Sequence, residues 1–128
     1  MKIEHLAIWT TRLDLLRDFY LDHFDCSASP KYFNPNTGFS SYFLTFPHGG
    51  ARLELMTNPS VKNSAEGKPC CGYAHFALSL GSEERVRELT GIFRQNGMTV
   101  KAEPRLTGDG YYESVVTDPD GNLIELTV

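Results

Sequence analysis

The sequence predicts an α+β fold built from two consecutive βαβββ units, and three observations predict it. A strand-like segment recurs at an offset of 70 residues: EHLAIWT, Glu4 to Thr10, matches AHFALSL, Ala74 to Leu80, with His5 on His75, Ala7 on Ala77 and Ile8 on Leu78. An amphipathic helical pattern follows each copy. Each half then ends on a matching hairpin, FPHGGARLEL at 46–55 and DPDGNLIEL at 118–126, the first longer by one residue.

Taken in order, the segment from Ile3 to Trp9 reads as the first strand, with Leu6 and Ile8 on one face and Ile3, His5, Ala7 and Trp9 on the other. The next segment places Leu13, Leu16, Tyr20 and Phe24 on one helical stripe. Strands are expected at 39–46 and 51–57, and the unit needs one more near 26–33. In the second half a strand at His75 leads to a helix with Val86, Leu89 and Phe93 on its stripe. Ser82 is its N-cap, Glu83 and Glu84 occupy its first turn, and Asn96-Gly97 is its stop. Strands at 98–103, 111–117 and 122–128 follow, and Asp118-Pro119-Asp120-Gly121 is a turn because Pro presets φ and Gly tolerates positive φ. The Gly-, Pro-, Asn- and Ser-rich segment Asn58 to Gly72 reads as a linker. One domain over 1–128 is therefore expected, with a first unit at 1–57, a linker at 58–72 and a second unit at 73–128.

A chain of 128 residues that is 41% hydrophobic is long enough for one real core and too short for two ordinary domains. The net charge of −4, with no basic run, gives no footprint for nucleic acid or an anionic membrane surface. No apolar run reaches the roughly 20 residues of a membrane span, and Met1 leads directly into a strand, so a cytoplasmic protein is expected. The three cysteines, Cys26 and the adjacent Cys70 and Cys71, form neither a disulfide framework nor a zinc knuckle and read as reduced thiols.

The ionisable residues of the repeat are the candidate site. The last strand of each half carries one carboxylate among apolar residues, Glu54 in ARLELM and Glu125 in NLIELTV. Alternation sets Leu53 and Leu55 on one face against Arg52, Glu54, Met56 and Asn58 on the other, and Ile124, Leu126 and Val128 against Leu123, Glu125 and Thr127. His5, Glu54, His75 and Glu125 thus lie on the faces turned away from the helices. Buried carboxylates take up protons or need a cation, and a nitrogen and oxygen donor set without thiolate suits an open site for Ni, Co, Mn, Fe or catalytic Zn.

The paired units, the HLAI and HFALS strands, the DPDGNLIEL ending and the His5, Glu54, His75, Glu125 set resemble the vicinal oxygen chelate superfamily, and most of all glyoxalase I (lactoylglutathione lyase), over essentially the whole chain. The resemblance implies a cupped, incomplete eight-stranded barrel around a divalent metal. It also implies a homodimer, with a short linker of this kind favouring a site shared between partner chains. The implied reaction is a proton shift, through an enediolate, on the hemithioacetal of a 2-oxoaldehyde and a thiol. Glu125 matches the base, Glu54 the opposing carboxylate that ligates or shares that role, and His5 and His75 are ligands only. Asn58 matches a substrate-binding asparagine, whereas Trp9 stands where the glutathione enzymes carry an arginine. That change removes a cation for the glutathione carboxylate and opens the choice of thiol. Three alternatives stay beside this reading: an epimerase of the methylmalonyl-CoA type, an extradiol dioxygenase, and a non-enzymatic protein that binds small-molecule drugs. His23, at a helix C-terminus, and His48, in a turn, are expected to be surface residues.

Overall fold

In the first unit the chain runs through strand β1 (His5–Trp9), helix α1 (Leu13–His23), short strands β2 (Ser27–Ala28) and β3 (Tyr32–Phe33), then β4 (Ser40–Thr45) and β5 (Arg52–Thr57). In the second it runs through β6 (His75–Ser79), α2 (Glu83–Gln95), β7 (Val100–Leu106), β8 (Tyr112–Thr117) and β9 (Leu123–Thr127). The structure, a computed structural model, describes residues 3–62, 73–108 and 110–128, and divides into Met1–Gly67 and Lys68–Val128. Cys70, Cys71 and most of the expected linker lie outside the described residues.

Each unit is one sheet with one helix on it. The strand orders correspond, β1-β5-β4-β2 in the first, with β3 also on β4, and β6-β9-β8-β7 in the second. Each first strand lies parallel to the last strand of its unit. A parallel neighbour requires a crossover, which the helix and the intervening strands supply. Leu16 and Tyr20 of α1 are fully buried with Leu44 and Leu55 of the sheet, and Val86 and Phe93 of α2 with Val116, Ile124 and Leu126. Burying each such side chain contributes about 1.5–3 kcal/mol, so the helix face of each sheet is settled by its alternating Leu, Ile and Val.

The ends of α2 follow the expected chemistry. The Ser82 hydroxyl accepts from the Arg85 amide at 3.3 Å, and Gly97 takes a φ of +71° beyond the last turn. Two details differ from the sequence reading. The second helix centres its buried stripe on Val86, Thr90 and Phe93, with Leu89 only half-buried. Thr90 tolerates the core because its hydroxyl donates to the Val86 carbonyl at 2.6 Å and shares a 2.7 Å hydrogen bond with the buried Ser114 hydroxyl.

The strand expected near 26–33 is in two pieces. Ala28 pairs with Leu44, yet Tyr32 pairs with Ser41, so one extra residue is accommodated between them. Pro30 lies in that gap, where it has no N–H to give the ladder. The corresponding edge strand β7 holds Pro104 and shifts register twice, between Val100 and Ala102 and between Ala102 and Arg105.

The repeat extends to a clamp between helix and sheet that the strand alignment alone does not reveal. Arg17 donates to the Tyr42 hydroxyl at 2.7 Å with its guanidinium over the ring, and Arg87, 70 residues on, donates to Tyr112 at 3.1 Å in the same manner. Tyr42 in turn donates to Asp14 at 2.7 Å, and this hydrogen bond, followed by one from Lys31, holds the Asp14 carboxyl below the ordinary range.

Thr90→Val leaves the buried Ser114 hydroxyl without its partner, and we expect a loss of about 1–3 kcal/mol in urea unfolding. The double variant Thr90→Val, Ser114→Ala is expected to recover part of that loss. A double variant no better than the single one would show that the pair does not couple.

Candidate functional site

The strand registers decide which side chains meet. In the first unit Ala7 stands opposite Glu54, and in the second Ala77 stands opposite Glu125. Each histidine is two residues before its alanine and therefore on the same face as the glutamate. The alanine presents only a methyl group beside the carboxylate, so the imidazole can lean across it. His5 Nε2 lies 3.8 Å from Glu54 Oε2, and His75 Nε2 lies 3.2 Å from Glu125 Oε2. The glutamate side chains are largely covered, 14% exposed for Glu54 and 17% for Glu125, while the imidazoles are open at 39% and 45%.

The structure thus brings the four expected residues together as two pairs, one in each unit. Among the described residues no group of three or more His, Cys, Asp and Glu is gathered as a metal cluster. The donors nonetheless fit a divalent cation. Glu54 has no Lys or Arg within ion-pair distance among the described residues, and both pairs set an open imidazole nitrogen beside a largely covered carboxylate oxygen.

The two pairs sit in different surroundings. Glu113 on β8 lies on the Glu125 face, 12% exposed, with its carboxylate 3.1 Å from Arg105 Nη2. Burial, and next the neighbouring Glu113 charge, raise the Glu125 pKa above the ordinary carboxylate value, against the opposing influence of His75. In the first unit Glu54 stands opposite Phe43, whose ring receives the edge of His5 at 5.5 Å and the Arg52 guanidinium at 4.1 Å. Glu4, just before β1, accepts from Arg52 and lies 2.5 Å from His5 Nδ1. The hydrogen bonds from His5 and then Arg52 lower its pKa. Sequence reasoning missed Glu4 and Glu113 as neighbours of the site, and it set Arg52 on the Glu54 face without giving it a role. The one available signal for Glu113 was a lone carboxylate in the strand YYESVV.

Trp9 is half-exposed on the His5 face and meets Phe39 edge-on at 6.1 Å. Phe39 in turn lines an open cleft of about 460 Å³ with Thr37, Asn58, Pro59 and Ser60. Asn58 stands one residue past β5, and its side-chain oxygen accepts from the Ser60 amide at 2.8 Å and hydroxyl at 2.6 Å. What it can offer a ligand is its amide NH2. His23 is half-buried against Phe19, stacked at 4.9 Å and bonded to the Phe19 carbonyl at 2.9 Å. Cys26 is a free thiol pushed up to about 11 by burial, which makes it a poor nucleophile. The expected turn at Asp118 is confirmed: its carboxylate accepts from the Asp120 and Asn122 amides, both at 2.9 Å, which sets the β8–β9 hairpin and with it the placement of Glu125.

Residues 2–126 match the model of the Glyoxalase/Bleomycin resistance protein/Dioxygenase superfamily. The chain belongs to this superfamily. The superfamily fold recurs at a TM-score of 0.83 in the glyoxylase/bleomycin resistance protein/dioxygenase domain from Frankia sp. EAN1pec, at 15% identity, over 100% of this chain and 97% of that one. The trypanothione-dependent glyoxalase I of Leishmania major is 26% identical, with a TM-score of 0.78 over 99% of this chain and 86% of its own. Glyoxalase I from Zea mays is 24% identical with a TM-score of 0.79, and the match covers 98% of this chain but 44% of the maize chain. No match was found among curated proteins. No helix among the described residues is long and apolar enough to cross a membrane.

The Glu125 carboxyl, its pKa raised in the folded state, contributes stability at acid pH that is lost as pH rises through its raised value. We therefore expect metal-free Glu125→Gln to unfold at higher denaturant than the unsubstituted protein at neutral pH, with the two converging below the ordinary carboxylate range. Parallel pH dependence of the two midpoints would remove Glu125 as the source.

Proposed function

We propose that the chain is a divalent-metal-dependent enzyme of the glyoxalase I type, acting on the hemithioacetal of a 2-oxoaldehyde and a thiol. The observation that carries this reading is the duplicated His–Glu pair, set by the same Ala–Glu register in both units. Each pair is half of a His2Glu2 donor set, His5 with Glu54 and His75 with Glu125. Two donors make a weak site alone, so the reading requires all four. When bound, the cation, from among Ni, Zn, Co, Mn and Fe, acts as a Lewis acid on the neighbouring substrate oxygens and makes the carbon-bound proton more acidic.

Glu125 is the base that takes this proton from one carbon and returns it to the next. Its raised pKa supports the role, since a base poised nearer neutrality both accepts and releases a proton readily. Glu54, on the apolar Phe43 side, is the opposing carboxylate, and His5 and His75 would hold the cation. Trp9 and the Phe39 cleft carry substrate choice. They favour an apolar or flat group where an arginine would favour a carboxylate, and the likeness to a trypanothione-dependent enzyme supports a thiol other than glutathione.

Metal analysis of the purified protein, followed by a methylglyoxal assay with several thiols, tests the proposal. We expect about one divalent ion per His2Glu2 set and thiol-dependent isomerisation. No uptake from Ni, Co, Mn, Fe or Zn would overturn the reading in favour of non-enzymatic small-molecule binding. Glu125→Gln is expected to keep some metal while turnover falls by roughly 10²–10⁴; undiminished turnover would take the base role from Glu125. Trp9→Arg should improve use of the glutathione hemithioacetal by the worth of one charge-assisted hydrogen bond, about 1.5–3 kcal/mol at best, mainly in KM. Vigorous glutathione-dependent activity in the unsubstituted protein would show that Trp9 does not set the choice of thiol.

A further inference from the structure

The two imidazoles are equivalent by strand position but not by what holds them. His5 Nδ1 lies 2.5 Å from a Glu4 carboxylate oxygen, and the other oxygen of Glu4 accepts from Arg52. Arg52 is held over the Phe43 ring, and Phe43 is the residue opposite Glu54. The first unit therefore contains a closed circuit, Glu54 to Phe43 to Arg52 to Glu4 to His5 and back. Among the described residues the second unit has no counterpart. The residue before His75 is Ala74, and Leu123 stands where Arg52 does in the pairing with the histidine. Among the described residues, the His75 ring pairs with Glu125 through Nε2.

We infer that Glu4, anchored by Arg52, is a positioning residue that fixes the His5 tautomer with its proton on Nδ1 and turns a bare Nε2 toward Glu54. A neutral imidazole carries one ring proton, and an acceptor carboxylate beside Nδ1 retains it there. At 3.8 Å the Glu54 oxygen is too far to draw that proton to Nε2. The Glu125 oxygen, 3.2 Å from Nε2 of His75, acts on that ring through its charge, which favours the proton on Nε2. His5 is thus ready to donate its Nε2 lone pair, whereas His75 must first move its proton. On the metal reading proposed above, which this inference extends, the first unit is the anchoring half of the donor set. A carboxylate behind a ligating histidine also strengthens the ligand.

The test uses the full-length protein stripped with a chelator and then titrated with Co(II) or Zn(II). Long-range ¹H–¹⁵N correlation of the metal-free protein, at a pH where the imidazoles are neutral, should give the Nδ1–H pattern for His5 and the Nε2–H pattern for His75. Glu4→Ala should lose the His5 pattern, Glu4→Gln should keep part of it, and neither should move that of His75. In the titration Glu4→Ala should bind metal roughly 10–100-fold more weakly. Glu103→Ala, which breaks an exposed ion pair with Arg94 away from the site, should not. An Nε2–H or averaged pattern for His5 in the unsubstituted protein would overturn the inference, as would a Glu4→Ala variant unchanged in both measurements. An unsubstituted protein that takes up no metal would overturn the metal reading instead, and the tautomer pattern would still decide whether Glu4 positions His5.

Discussion

Everything at the candidate site depends on the parallel pairing of the first and last strands within each unit. That pairing has two faces, and the hydrophobic effect chooses between them. Leu6 and Ile8 lie opposite Leu53 and Leu55, and Phe76 and Leu78 opposite Ile124 and Leu126, so each strand pair has a strong preference for the face its helix covers. A slip of one residue would drive a glutamate under the helix and a leucine into water. The donor face is thus specified by residues that take no part in any chemistry, and its accuracy is inherited from the core.

On that common scaffold the two halves have diverged in electrostatics. Glu125 shares its face with Glu113 and is drawn toward protonation, while Glu54 faces Phe43 beside an arginine already occupied by Glu4. Two carboxylates whose surroundings differ in this way can be assigned different tasks without any change in backbone. Both keep a buried body and an open imidazole neighbour.

Much of this was legible in the residues. The duplication, the two helices, the Ser82 cap, the Gly97 stop and the faces of His5, Glu54, His75 and Glu125 all follow from period and phase, which local sequence states directly. The split of the strand near 26–33 was not legible, because a proline reports that a ladder bond is missing but not how the chain accommodates the gap. Thr90 was passed over for Leu89 because hydropathy ranks leucine higher, and only the partner hydroxyl of Ser114 explains a buried threonine. Glu113 and Glu4 escaped for a related reason. Their significance lies in cross-strand neighbours or in a side chain reaching around an edge, and neither is visible along one strand.

The placement of the donors on terminal strands also has a consequence for how the site comes into being. His5 pairs with Arg52 across 47 residues of chain, and His75 with Leu123 across 48, whereas the hairpins β4–β5 and β8–β9 join close neighbours. Closing a long loop costs entropy that short hairpins largely avoid, so the parallel seam is the last pairing that local contacts can bring about. An incompletely folded unit can therefore hold its hairpin, and its glutamate, without the histidine in place. The His–Glu pair exists only in a finished unit, so its formation reports that the parallel seam has closed.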